Sequence, residues 1–172
     1  MVLATVDVSP LYTNIPQKEG IEVVCRYYKD HYEQKLPIPT SDLRKLMLII
    51  SEENSFKFNG KHFVQTHSMG NRMAVAFSVV FLADMEKRML AASPLKPFFW
   101  KRFNLSMTFS LWNIPKEEFS SFVTFANSFH PTINFSYEMS SERGVFLDTE
   151  VFKGPRLSTL RILDLLNPLQ AH

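Results

Sequence analysis

The chain has 172 residues, 45% apolar and 21% charged, which is enough for one domain with a substantial core and excludes a disordered segment. Its net charge of +2 permits a nucleic-acid partner without arguing for one, because that reading needs clustered cations. A single cysteine, Cys25, excludes an intramolecular disulfide and a cysteine-based metal centre, and suits a reducing, intracellular compartment.

No apolar run is long enough to span a membrane. The start of the chain lacks the basic region of a secretory leader. Residues 2–8 read instead as a strand that stops at the Ser9-Pro10 turn signal, and a chain opening on a buried strand reads as a fragment. Pro16, with Asn14 as cap, predicts a helix over 17–32, where Ile21, Val24, Cys25 and Tyr28 recur at helical spacing. Leu36-Pro37-Ile38-Pro39 is an extended break. Thr40 or Ser41 then caps a helix over 42–53, with Leu43, Leu46, Met47 and Ile50 directed inward.

Phe56-Lys57-Phe58 and His62-Phe63-Val64-Gln65, joined by Asn59-Gly60, form a hairpin. A long helix is predicted over 69–90. Its early part, 74–83, is apolar nearly all round and is expected to be buried, while 84–88 is charged. Ser93-Pro94-Leu95-Lys96-Pro97 ends it. The stretch 100–112, WKRFNLSMTFSLW, has the ends of a hairpin around a tip without glycine, proline or acid. Pro115 opens a helix to Asn127, with Phe119, Phe122, Val123 and Ala126 on one face. Residues 133–137 alternate as a half-buried strand, 144–152 read as one further strand, and 160–172 are at best weakly helical. The order β-α-α-β-β-α-β-β-α-β-β implies an α+β fold, a largely antiparallel sheet with helices packed mainly on one face.

Few residues could carry chemistry. Asp7 ends an apolar strand, where a carboxylate can hold a divalent cation with the Val8 carbonyl as second ligand; a turn acid bonded to local backbone is the plainer reading. Tyr12 could cover the sugar of a nucleotide or be a core or rim tyrosine. The strand-to-helix turn from Gln65 through Met69 to Gly70 could face an anion. The five histidines have no metal-ligand spacing and read as surface residues, and Cys25 reads as a small core residue. Asp148 and Glu150 read as the polar face of a strand, and Lys101, Arg102, Lys153 and Arg156 as solvated cations that could meet phosphate.

The segments VDVSPLYTNIPQKEG, FKFNGKHFVQTHSMGNRMAVAF, WKRF…SLW and VFLDTEVF stand in the order and spacing of a reverse-transcriptase palm. The chain resembles the Penelope-like retroelement group over roughly 5–161. The resemblance implies a polymerase palm-like domain over 1–160, lacking fingers and thumb, followed by a divergent tail over 161–172. It implies an RNA-directed DNA polymerase, a nucleotidyltransferase using Mg²⁺ on an RNA template and DNA primer. On it, Asp7 is the first metal-binding aspartate and Val8 a backbone ligand beside it. Tyr12 screens the sugar, and Gln65, Met69 and Gly70 lie along the nucleotide and template.

The chain departs from this family where the chemistry is concentrated. After Phe103 the family has an apolar residue and then Asp-Asp. Here Asn104 is followed by Leu105, Ser106, Met107 and Thr108, one residue longer and without an acid. Two metal ions need carboxylates from both the hairpin and the first strand, so Asp7 is the sole surviving motif acid and the chain is predicted inactive, with Mg²⁺ not productively bound. A codon for Ser106 ending in G would make Ser106-Met107-Thr108 the Asp-Asp pair in a shifted frame. The alternatives are a non-catalytic nucleic-acid-binding remnant and an unrelated α+β interaction domain.

Overall fold

Strand β1 (Val2–Val8) runs through the inside of a four-stranded sheet. It pairs antiparallel with β5 (Thr108–Trp112) on one side and with β6 (Phe135–Ser140) on the other. Strand β4 (Phe99–Arg102) pairs antiparallel with β5, giving the order β4-β5-β1-β6. The structure is a computed structural model that describes residues 2–8, 10–32, 34–35, 37–52, 55–64, 72–103, 105–147 and 149–152. With five helices among these residues, the fold is α+β, as the element order implies.

The alternation along β1 decides the layers. Val2, Ala4, Val6 and Val8 point to one face and meet the helices α4 (Arg72–Ala92) and α5 (Lys116–Phe129). There Phe81, Leu82, Met85 and Met89 of α4 join Phe119, Phe122, Val123 and Ala126 of α5 around Trp112, which is fully buried. Burying each such large apolar side chain is worth about 1.5–3 kcal/mol, so this layer carries most of the stability. The α5 face is the one its spacing predicts. Pro115 stands at its N-cap, and Glu117 and Glu118 sit in the first turn, where the helix dipole favours acids.

Leu3 points to the opposite face. It clusters with Phe109, Leu111 and Phe146, the last from a hairpin of β7 (Arg143–Phe146) and β8 (Thr149–Phe152). The single strand expected over 144–152 is therefore two. The chain reverses after Leu147, whose φ of 53° is left-handed, and the sequence carries no glycine or proline there to announce it.

Helices α2 (Gln17–His31) and α3 (Thr40–Glu52) form an outer pair beside α4. A four-residue helix, α1 (Leu11–Asn14), precedes α2, so Asn14 ends a helix, and Pro16 is the N-cap of α2. Thr40 is the first residue of α3. Gly20 faces the Phe77 ring so closely that a Cβ there would lie 2.1 Å from Cζ, and this contact sets how near α2 and α4 approach.

Two burial expectations are corrected. On α3, Met47 is buried with Ile21 and Cys25, but Leu46 and Ile50 are exposed, because this helix has a neighbour on one stripe. On α4, Val75 and Val79 are exposed, and the fully buried apolar residues come later, on one stripe made by Phe81, Leu82, Met85 and Met89 that lies under the sheet. Cys25 is the expected small core residue.

Candidate active site

Thr5 and Asp7 lie on the face of β1 that the helices leave open. Asp7 pairs with Ser136 and Thr5 with Glu138, so the four side chains share that face. They line a cleft of about 510 Å³ with Met107, Val145 and Leu147. The roof is pinned by Thr5, whose hydroxyl donates to the Val145 carbonyl at 3.1 Å. The Ser136 hydroxyl donates to the Asp7 carbonyl at 3.4 Å. Oδ1 of Asp7 is buried and has no hydrogen-bond partner among the described residues.

The β4–β5 tip lies against the end of β1. Phe103 N–H donates to the Met107 carbonyl at 3.1 Å, which closes the hairpin end. Val8 N–H donates to the Ser106 carbonyl at 3.3 Å, which holds the tip beside Asp7. Val8's side chain is buried on the helix face. Leu105 packs against the main core and Met107 against the Leu3–Phe109–Phe146 cluster. Thr108 is 1% exposed, and its hydroxyl donates to Oε1 of Glu86 at 3.3 Å. Leu105, Met107 and Thr108 thus serve packing or a buried hydrogen bond, and the tip brings no carboxylate to Asp7.

Glu138 is the residue that the sequence reading passed over. The alternation Phe135-Ser136-Tyr137-Glu138 carries the signal for its face, but only the β1–β6 register sets it one diagonal from Asp7. Two carboxylates placed diagonally do not replace an adjacent Asp-Asp pair. Among the described residues no group of three His, Cys, Asp or Glu could hold a metal ion. Among the described residues lining the cleft, Asp7 and Glu138 are the carboxylates.

Beneath the hairpin, Arg102 and Glu86 form an ion pair of 3.1 Å, and Arg102 Nη1 also donates to the Val79 carbonyl at 3.3 Å. This corrects the expectation of a solvated Arg102. Burial raises the Glu86 carboxyl above the ordinary glutamate range, opposed by the Arg102 charge and the hydrogen bonds from Thr108 and Arg102. His130 is likewise buried and not on the surface. Its Nδ1 accepts from Thr132 N–H at 3.3 Å, which leaves Nε2–H to donate to Glu19 at 3.0 Å.

Tyr12 lines a separate cavity of about 40 Å³ with Ile15, Gln17, Met73 and Phe77, between the start of α2 and the start of α4. Glu150 pairs with Arg143 at 3.5 Å on the β7–β8 hairpin, and both side chains are exposed. Gln65, Met69, Gly70, Asp148, Lys153, Arg156 and the 161–172 tail lie outside the described residues. Among the described residues no helix is long and apolar enough to cross a membrane. No protein-family model, curated protein or solved structure matches the chain.

Proposed function

We propose that the chain is the palm-like part of a reverse transcriptase similar to the Penelope-like group, without nucleotidyl-transfer activity. One observation carries this reading. Asp7, at the end of the inner strand, lies beside the tip of the β4–β5 hairpin on the face that the helices leave open. An RNA-directed DNA polymerase needs that juxtaposition, because metal ligands from the two elements must converge over the reacting phosphate. The hairpin supplies Leu105, Ser106, Met107 and Thr108 where the chemistry needs carboxylates. The unpartnered oxygen of Asp7 supports a residue placed for a ligand that its neighbours no longer complete.

The test restores the missing acids. Residues 104–107 are replaced by Val-Asp-Asp, and Mn²⁺ binding is followed by electron paramagnetic resonance. The natural chain is expected to leave the free Mn²⁺ signal unchanged. The restored chain is expected to quench it, and Asp7→Asn in that background to abolish the quenching. A folded restored chain that binds no Mn²⁺, or binds it without Asp7, overturns the reading. Primer extension on an RNA template with the natural chain is expected to give no product. Asp7-dependent synthesis would overturn the inactive assignment.

A further inference from the structure

Strands β2 (Ser55–Phe58) and β3 (Lys61–Val64), joined at Asn59-Gly60, pair with each other apart from the main sheet, and so do β7 and β8. Among the described residues the main sheet therefore ends on β4 at one side and on β6 at the other. Such an edge is a row of N–H and C=O groups that a further strand can meet.

The hydrogen bonds identify those groups. The N–H and C=O of Phe135 both meet the side-chain amide of Asn127, at 2.6 and 3.1 Å. Val8, its partner on β1, turns its own N–H the other way, to Ser106. The main-chain groups of Phe135 thus point away from β1, and by strand alternation so do those of Tyr137 and Met139. On β4, Lys101 pairs with Phe109 in step with the Phe103–Met107 bond two residues on, so Lys101 is bonded to β5. The main-chain groups of Trp100 and Arg102 then point outward.

The two edges are complementary. Lys101 lies across from Phe109 and Glu138 across from Thr5, so both stand on the sheet face opposite the helices, and both are exposed. An antiparallel pairing that joins Trp100 to Met139 and Arg102 to Tyr137 of a second copy uses all the outward groups of these four residues. It sets Lys101 directly opposite Glu138 in the close, non-hydrogen-bonded position, where opposite charges attract. The same pairing between two β4 edges would oppose Lys101 to Lys101, and between two β6 edges Glu138 to Glu138. Val79, whose carbonyl accepts from Arg102, is exposed beneath the β4 side, where a neighbour continuing the sheet would cover it.

We propose that the chain associates with further copies of itself edge to edge, β4 of one copy pairing antiparallel with β6 of the next and Lys101 facing Glu138. The contact is heterologous, so it extends into open chains and does not close as a dimer. It holds whether or not the chain is a polymerase palm.

Sedimentation velocity of the full chain at low salt, over a wide range of concentration, tests this. The weight-average sedimentation coefficient is expected to rise with concentration beyond that of a dimer. Lys101→Glu and Glu138→Lys each place like charges across the contact, and each alone is expected to weaken association about ten-fold. An equimolar mixture of the two variants restores opposite charges at alternating contacts and should recover association. Both changes in one chain should recover it as well. The two side chains are exposed, so circular dichroism of the variants should match that of the natural chain. A chain that stays monomeric at every concentration overturns the proposal. So does association that stops at a dimer, so do single variants that associate like the natural chain, and so does a mixture that associates no better than its components. The Mn²⁺ experiment on the restored tip fails or succeeds separately.

Discussion

Arg102, the last residue of β4, donates from Nη2 to Oε2 of Glu86 on α4 at 3.1 Å, and both side chains are largely out of water. The pair ties the base of the hairpin to the helix beneath it. Thr108 reaches the other oxygen of Glu86 from β5, so one carboxylate holds both arms of the hairpin.

Removing one partner of such a pair strands the other charge. Glu86→Ala or Arg102→Ala is expected to cost about 3–5 kcal/mol in urea unfolding. Replacing both by methionine should cost less than either single change, because no unpaired charge stays buried. A double mutant as unstable as the sum of the singles would count against the pairing.

Glu86 also gives the pH dependence a sign. Its carboxyl is raised in the folded state, so between the unfolded and folded values the folded chain holds more protons than the unfolded chain. Its contribution is full below the unfolded value and is lost as pH rises through the folded one. The stability of the natural chain relative to Glu86→Gln is therefore expected to fall as pH rises out of the acid range. Urea midpoints of the two proteins across that range measure it.

Asp7 has a buried carboxylate oxygen without a partner, a local cost that a lost ligand would leave behind. Asp7→Asn is expected to hold or raise stability by up to about 1 kcal/mol, since an amide is cheaper to desolvate than a carboxylate. A clear loss would mean that the carboxylate has a structural partner.

Gly20 has no room for a side chain against Phe77. Gly20→Ala gains about 1 kcal/mol of helix propensity but must displace the ring, so a net loss of about 1–2 kcal/mol is expected. Phe77→Leu in the same chain should recover part of it. Denaturant midpoints of the single and double variants decide.

Phe146 joins the β7–β8 hairpin to the sheet, with ring centroids 5.4 Å from Phe109 and 5.3 Å from Phe103. Phe146→Ala is expected to cost about 3 kcal/mol and to speed amide exchange at Gly144 and Val145. Exchange limited to that hairpin would show that it opens as a unit over the Asp7 cleft.

Local chemistry determined much of this protein without help from the fold. The β1 alternation, the apolar face of α5, the Asn59-Gly60 turn and the α+β order are all written in residues two to four positions apart. That is where strand pleat, helix pitch and turn dihedrals act. The placement of Asp7 at a strand end was equally legible. Tertiary structure decided what no neighbour in sequence could. Leu46 and Val75 stay exposed because their helices meet the rest of the chain along one stripe. Glu86 and Arg102 are buried because two elements 16 residues apart close on each other. Glu138 shares a cleft with Asp7 because β6 pairs in one register, and a shift of one residue would have sent it to the other face. Burial of a charge and convergence of a site depend on pairings between distant segments, and hydrophobic periodicity carries no record of them.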